Sequence, residues 1–346
     1  MFWGSGSLND MSTNPPAPPD RTAPFSERLV YVSSSRIGGK YPQRSDHIIA
    51  SMQRLGAKVV VIQPKSSGLA GILGVSREAF KNRHAGRIIF SGFKAGMAAL
   101  LLKVVTFGSF HYQYDYVEWK LLLCQDNWKG SRRLLLPAVD WFDRQAIGFA
   151  DIVYSADNNY PAAHSIQRVR KDYVAAENGY DPEIFSPGKY DRAALRAKWG
   201  VDSPLLLFTG KLTRMYGKYI ETVIDALPEL GTVRFWIFGD GPELERLKSK
   251  AIARGLPVDF KGYVDHCLTP ELITVADVGV NAYRTVSLKC REWDAMGLPY
   301  IMPKGCEWSV EDVVQQVREC MVRDRAPRPI KTWEESARVI LEQGSK

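Results

Sequence analysis

From Arg28 onward, short unbroken apolar runs rich in β-branched residues alternate with longer stretches of helical spacing. RLVYVSS, KVVVIQ, RIIFS, KLLLCQ, DIVYSA and DYVAAE are the strands this pattern predicts in the first half, with helices in HIIASMQRLG and AVDWFDRQAIGFA. After SPGKYDRAALRAKWGVDS the alternation restarts. PLLLFTG, VRFWIFG, VDFKG, DVGVNAY and PYIMP read as strands, and PELERLKSKAIARG as a helix between two of them. Strands that are apolar throughout and separated by helices belong to parallel sheets covered on both faces. Two such series predict an α/β chain of two Rossmann-like domains facing each other across a cleft. The expected divisions are a disordered lead over 1–24, a first domain over 25–187, a second over 188–328, and a C-terminal helix over 329–346 that packs back toward the first domain. In such folds a ligand sits beyond the carboxyl ends of the strands, which puts the expected site in the cleft.

Composition narrows the class. The 346 residues suffice for two cores of ordinary size. Hydrophobic residues at 45% and charged residues at 24% are those of a water-soluble globular protein. The net charge of +8 fits either an anionic partner or plain solubility. Cys124, Cys267, Cys290, Cys306 and Cys320 are scattered without CxxC spacing, so neither a zinc site nor a disulfide frame is expected. Reduced thiols point to a cytoplasmic protein. The lead MFWGSGSLNDMSTNPPAPPDRTAPF lacks the basic-then-apolar layout of a signal peptide. The most apolar stretch, AGMAALLLKVVTF, is interrupted by Lys103 and too short to span a bilayer.

Candidate chemistry gathers at the expected strand ends. In the second half these carry Gly210-Lys211, Gly239-Asp240-Gly241 and Gly262-Tyr263-Val264. Glycine there lets a ligand approach the backbone, and a helix N-terminus beyond it favours an anion. Three such ends in register point to a phosphorylated ligand such as a nucleotide. In the first half, SSSRIGGKY places Gly38 and Gly39 between a strand and a helix, without the GxGxxG spacing of a dinucleotide-binding dehydrogenase. CQDNW follows an expected strand, so Asp126 is the first candidate for a catalytic or acceptor-orienting carboxylate. His111, in GSFHYQYDY, is the second. No metal-ligating cluster stands out, and charge alone does not make nucleic acid an expected partner.

The blocks beyond residue 176 resemble those of a known family. AENGYDPEIFSP resembles the linker of GT-B glycosyltransferases, particularly the GT4 group. LLLFTGKL, FWIFGDGPELERLK, VDFKGYV, ELITVADVGVNAYR and LKCREWDAMGLPYI are similar to the family's successive C-terminal blocks in order and spacing, and TWEESARVILEQ to its closing helix. RIGGKYPQRSDHIIASMQRLGAKVVVI is a weaker match, to the glycine loop and first helix. The resemblance implies transfer of a sugar from a nucleotide-sugar donor, of UDP or GDP type, to a glycan or lipid-linked saccharide, with no metal or other cofactor. It assigns Glu292, just before the Met296-Gly297-Leu298-Pro299 turn, to the ribose hydroxyls; an ionised carboxylate can accept from two neighbouring hydroxyls. Lys211 falls at the first basic contact to the donor diphosphate, where it would neutralise the leaving group. Gly38, Gly39, Gly210, Gly241, Tyr263, Val264 and Lys289 complete the implied donor-binding set.

Two positions depart from the family pattern. Its second basic residue falls at Tyr216, for which Lys218 is the nearest substitute and Arg214 another. The earlier of its paired acidic residues falls at Arg284, which leaves the donor-sugar contacts and the stereochemical outcome open. Asp126 would be the base of an inverting enzyme and only an orienting group in a retaining one. The same departures carry the rival reading, a non-catalytic sugar-nucleotide-binding or partner subunit.

Residues 77–103 interleave Arg77, Lys81, Arg83, Arg87, Lys94 and Lys103 with Phe80, Phe90, Phe93 and leucines. Such a surface suits the anionic inner face of a cell membrane, so peripheral attachment there is one expectation. The other is that the leucines pack on the sheet and the lysines are solvated.

Overall fold

The computed structural model describes residues 25, 28–38, 43–157, 162–305 and 307–343. The lead over 1–24 and Gly39 lie outside the described residues. The first half forms a sheet of β1 (Arg28–Ser33), β2 (Lys58–Ile62), β3 (Arg87–Ser91), β4 (Gln113–Tyr116), β5 (Ile152–Ser155) and β6 (Val174–Ala175). The strand order is β2-β1-β3-β4-β5-β6, and every pairing is parallel. The accompanying helices are α1 (Arg44–Arg54), α2 (Gly68–Lys81), α3 (Phe93–Val105), α4 (Lys120–Asn127), α5 (Leu136–Phe149) and α6 (Ala162–Gln167).

The second half opens with α7 (Arg192–Trp199) and carries β7 (Leu205–Thr209), β8 (Arg234–Phe238), β9 (Val258–Gly262), β10 (Val278–Val280) and β11 (Tyr300–Ile301). Their order is β11-β10-β7-β8-β9, again all parallel. Around them lie α8 (Arg214–Ala226), α9 (Leu244–Ala253), α10 (Thr269–Val275), α11 (Leu288–Ala295) and α12 (Val310–Met321), and α13 (Trp333–Glu342) follows.

The strands read as unbroken apolar runs because both faces are covered. Leu29 and Tyr31 of β1 pack with α1 and α13, Val30 and Val32 with α2 and α3, and all four are fully buried. In β7, Leu206 and Phe208 pack with α8 and α12, and Leu205 and Leu207 with α10 and α11. Local signals set the helix ends. The Asp191 carboxylate accepts from the backbone N–H groups of Ala193 and Ala194, and Gly200 closes α7 at a φ of 64°. Ser309 with Asp312, and Thr332 with Glu335, form reciprocal capping boxes at α12 and α13.

Two chain segments cross between the halves side by side. The Tyr180 N–H donates to the Lys331 carbonyl at 3.2 Å, and the Trp333 N–H donates to the Tyr180 carbonyl at 3.1 Å. Gly179 is required at this crossing, since a Cβ there would stand 2.4 Å from the Thr332 carbonyl carbon. Past the crossing, α13 inserts Trp333, Ala337, Ile340 and Leu341 into the core of the first half, beside Leu29 and Ile48.

The structure corrects three expectations. KLLLCQ is not a strand but most of α4, whose Leu123 packs against the core of the second half. A short apolar run fits either element, and here contact across the cleft decides. Asp126 therefore lies in a helix rather than at a strand end. The fourth strand is instead QYDY, which the apolar pattern hides because its central Asp115 is charged and yet fully buried. Asp115 accepts from Tyr31 Oη at 2.6 Å, Arg44 Nη2 at 2.9 Å and Ser91 Oγ at 3.1 Å, and Arg44 also donates to Asn178 Oδ1 at 3.1 Å. The basic surface over 77–103 also shrinks. Arg87 is 7% exposed and donates to the carbonyls of Ile340 at 2.6 Å and Leu341 at 3.1 Å. Phe90 is core, and Lys103 Nζ donates to the Phe110 carbonyl at 2.8 Å, which leaves Arg77, Lys81, Arg83 and Lys94 exposed. Among the described residues, no helix is long and apolar enough to cross a membrane.

Candidate functional site

The second sheet delivers three loops to one place. The Gly210 N–H donates to the Phe238 carbonyl at 2.9 Å, Leu212 N–H to the Asp240 carbonyl at 2.7 Å, and Gly239 N–H to the Gly262 carbonyl at 2.7 Å. The loops thus pack backbone on backbone. A Cβ at Gly239 would stand 1.8 Å from the Gly210 carbonyl oxygen, and one at Gly241 would stand 2.5 Å from the Leu212 carbonyl oxygen. Both positions therefore serve the contact between strand ends. Gly241 does not itself line the cleft.

Above the loops opens a cleft whose empty space, counted out to open solvent, is about 740 Å³. Thr209, Gly210 and Gly239 form its base, and Tyr263, Val264, His266 and Thr269 one side. Leu288, Lys289 and Glu292 enter from α11. His47 of α1 and Trp333 of α13 close it from the first half of the molecule. The site is therefore built by both halves. Gly210, Tyr263, Val264, Lys289 and Glu292 of the sequence-derived set are brought together here.

Electrostatics in the cleft follow from burial. Lys289 and Glu292 are three residues apart and share a face of α11. The Glu292 carboxylate, 13% exposed, lies 2.7 Å from His266 Nε2. That bond raises the His266 pKa above its ordinary value against the opposing effect of burial. His47 stacks on Trp333 with ring centroids 4.7 Å apart and planes 3° from parallel. Burial, aided by the neighbouring His266 charge, pushes His47 down to about 4. Lys289 Nζ donates to the Thr209 carbonyl at 3.0 Å and sits 4.1 Å from the centre of the Phe208 ring. Burial pulls the Lys289 ammonium down to about 8.

The other sequence-derived residues lie elsewhere. Lys211 is exposed, one residue past Gly210, beside the cleft but not in its lining. Lys218 is exposed on α8 with its ammonium 4.4 Å over the Tyr219 ring, also outside the lining. Gly38 has a φ of 72°, and its N–H donates to Asp46 Oδ1 at 2.5 Å, tying its loop to the first turn of α1. His111 precedes β4, at the opposite end of the parallel sheet from the cleft, and pairs with Asp151 at 3.1 Å. That placement removes it from the candidate chemistry. His47, His266 and Trp333 were not singled out in the sequence. His47 and Trp333 are lone residues within matched blocks and His266 falls between two of them, so the three become a site only when α1, α13 and the loop after β9 converge.

Comparison with known proteins accords with this geometry. Residues 203–331 match the family model described as glycosyl transferases group 1. No curated protein matches the chain in sequence. Among solved structures, sucrose-phosphate synthase from Thermosynechococcus elongatus is 16% identical with a TM-score of 0.70, over 92% of this chain and 94% of that one. Anabaena HepE in complex with UDP and glucose is 16% identical with a TM-score of 0.64, over 92% and 95%. WaaG, a glycosyltransferase involved in lipopolysaccharide biosynthesis, is 15% identical with a TM-score of 0.60, over 91% and 95%. The chain has the GT-B fold, and the match to glycosyl transferases group 1 spans residues 203–331, which supply the base and most of the lining of the cleft.

Proposed function

We propose that the protein is a glycosyltransferase that takes a sugar from a UDP- or GDP-linked donor and passes it to a glycan or lipid-linked saccharide, without a bound metal. The observation that carries this reading is the convergence of the Glu292 carboxylate, the Lys289 ammonium and the Gly210 backbone in one cleft between the halves. A nucleotide-sugar needs such an arrangement. Its ribose hydroxyls donate to a carboxylate, its diphosphate requires positive charge and close backbone approach, and its base can meet the backbone of Tyr263 and Val264. Solved GT-B structures holding UDP or UDP-glucose support a uridine donor over the other bases.

In this reading Glu292 positions the ribose, and Lys211 beside Gly210 neutralises the diphosphate as the glycosidic bond to the donor breaks. Closure by His47 and Trp333 excludes water that would otherwise hydrolyse the donor. Asp126 remains the proposed acceptor-side carboxylate and would have to reach the acceptor hydroxyl from α4. Thermal-shift measurements with UDP, GDP, ADP and their sugars test the donor assignment, because a ligand present at a hundred times its Kd stabilises the fold by about 2.7 kcal/mol. Stabilisation by one nucleotide series, with sugar transfer or slow donor hydrolysis, is the expected result. No shift with any nucleotide would defeat the reading. Binding without turnover on any acceptor would favour the non-catalytic subunit, which Tyr216 and Arg284 also fit.

A further inference from the structure

We propose that closure of the two halves over the cleft is proton-gated: His47 of α1 and His266 of the loop after β9 meet across the join, and the closed cleft tolerates a charge on one of them but not on both. The inference concerns how the halves are held together, whichever ligand the cleft takes. The two rings lie 6.1 Å apart between centroids, with planes at 54°. Each is fixed by its own half. His47 lies flat on Trp333, and His266 is held by Glu292 at 2.7 Å with the Phe185 ring 5.4 Å away at 61°. Beside the pair, Leu288 of α11 packs against the core of the first half, and Arg291 pairs with Glu177 at 3.5 Å. Repulsion between the histidines therefore acts directly on the contact that closes the cleft.

The charges around the pair decide which histidine holds the proton. His266 is faced by Glu292 of α11, Asp265 of its own turn and Asp181 of the segment after β6, and the Glu292 bond favours its charged form. His47 is faced by Asp46 and Arg54 of its own helix, by Asp181 and by His266, while α13 presents the Trp333 ring. The carboxylates near His47 are already engaged. Asp46 accepts from the Gly38 and Gln43 N–H groups at 2.5 and 2.8 Å, and Asp181 and Glu334 lie 3.5 and 3.4 Å from the Arg54 guanidinium. Burial and the His266 charge together hold His47 neutral down to about pH 4. Drawn away from His266 into water, His47 would take up its proton near the ordinary value of 6.5. Closing the cleft therefore expels a proton between pH 6.5 and 4, and opening gains by up to about tenfold per pH unit as pH falls through that window. Above 6.5 His47 is neutral in either state and this linkage vanishes.

Small-angle scattering of the full chain reads the join without any ligand. Between about pH 7.5 and about pH 5 the wild-type radius of gyration should rise reversibly while circular dichroism stays unchanged. His47→Phe keeps an aromatic face for Trp333 without the titration, and should stay compact at both values. His47→Gln is the companion variant should the phenylalanine fail to fold, with the same expectation. His47→Lys carries a permanent charge and should be open already at about pH 7.5; adding His266→Asn should return it toward the compact form. A wild-type radius independent of pH overturns the gate, as does acid opening of His47→Phe equal to that of the wild type. Expansion accompanied by loss of circular dichroism would be unfolding instead and overturns it too. For the nucleotide that stabilises the wild type, affinity should weaken between about pH 6.5 and about pH 5 at least fivefold more in the wild type than in His47→Phe, on the scale of that proton linkage. A wild type that binds no nucleotide would sink the donor reading and leave the scattering result to decide the gate.

Discussion

His266 Nε2 and Glu292 Oε1 lie 2.7 Å apart, joining the loop after β9 to α11 at the cleft. The bond fixes one oxygen of the carboxylate and leaves the group oriented along the cleft wall, with 13% of the side chain still accessible. A carboxylate preset in this way loses little side-chain freedom when a ligand arrives. His266 is thus a positioning residue for Glu292.

Glu292→Gln should weaken nucleotide binding by about 1.5 to 3 kcal/mol, the range for a hydrogen bond to a charged group. His266→Asn should weaken it less, since the carboxylate stays but loses its brace. Calorimetric titration with the nucleotide that stabilises the wild type measures both. Equal affinity in a folded Glu292→Gln protein would remove Glu292 from the site.

The two neighbouring histidines predict opposite limbs of a stability–pH curve. His47, flanked by His266, Asp46, Asp181 and Arg54, has its pKa lowered to about 4 in the fold. The unfolded chain therefore binds a proton that the fold refuses as pH falls from 6.5 toward 4, and up to roughly 3 kcal/mol of stability is lost across that window. His266, facing Glu292, Asp265 and Asp181, has a raised pKa. Its contribution is fully present below its ordinary value and disappears as pH rises through the folded value. Melting temperatures against pH should show His47→Phe flattening the acid limb and His266→Asn the alkaline one. A His47→Phe profile parallel to the wild type would contradict the burial argument.

Both sheets are legible in the sequence because β1 and β7 are buried on two faces and so cannot alternate. The unread part is local. QYDY looks unlike a strand because Asp115 occupies a core position, and Arg44, brought in by α1 from 71 residues away, supplies the positive charge that makes that burial tolerable. KLLLCQ looks like a strand because nothing in it announces that Leu123 packs against the other half. The Glu292 side of the cleft could be anticipated from one helix and three strand ends. His47 and Trp333 could not, since their place depends on a crossing chain returning α13 to the first sheet.

The Arg44–Asp115 pair supports a mutational test of that burial. Arg44 is 1% exposed and Asp115 fully buried, so Arg44→Met leaves an uncompensated buried carboxylate and should cost about 3 to 5 kcal/mol. Replacing both, with Arg44→Met and Asp115→Leu, should recover part of that loss because no charge then remains unpaired. Urea denaturation of the wild type and the two variants measures both the loss and its recovery. A single variant as stable as the wild type would show the network to be dispensable.

Lys211 and Lys218 should separate in turnover. Lys211 is exposed one residue beyond the cleft-lining Gly210, whereas Lys218 rests on Tyr219 along α8. Lys211→Ala should lower kcat for donor hydrolysis or sugar transfer by roughly a hundred- to a thousandfold, the scale of one lost charge-stabilising donor at a reacting centre. Lys218→Ala should leave it within twofold. A larger effect at Lys218 would mean that α8 shifts toward the ligand during the reaction.

Membrane attachment should use the outer face of α2 rather than the whole basic segment. Leu69, Leu73 and Phe80 are 69%, 50% and 38% exposed, and with Arg77 they form one stripe along the helix. Arg83, over the Phe80 ring at 4.3 Å, and Lys94 add charge nearby, whereas Arg87 is committed to the α13 carbonyls. Each basic residue near an anionic leaflet contributes roughly 1 kcal/mol, screened by salt, and the apolar stripe adds a part that salt does not screen. The protein should co-sediment with vesicles containing phosphatidylserine at low salt and less at high salt. Arg77→Glu, Arg83→Glu and Lys94→Glu together should abolish that binding and leave nucleotide affinity unchanged, because the cleft between the halves draws no lining residue from α2 or α3. Arg87→Glu should instead lower the melting temperature, since it breaks the seat of α13 and not the surface. Sedimentation that is the same with neutral vesicles, or unaltered in the triple variant, would return the stripe to the ordinary exposed surface of a sheet-covering helix.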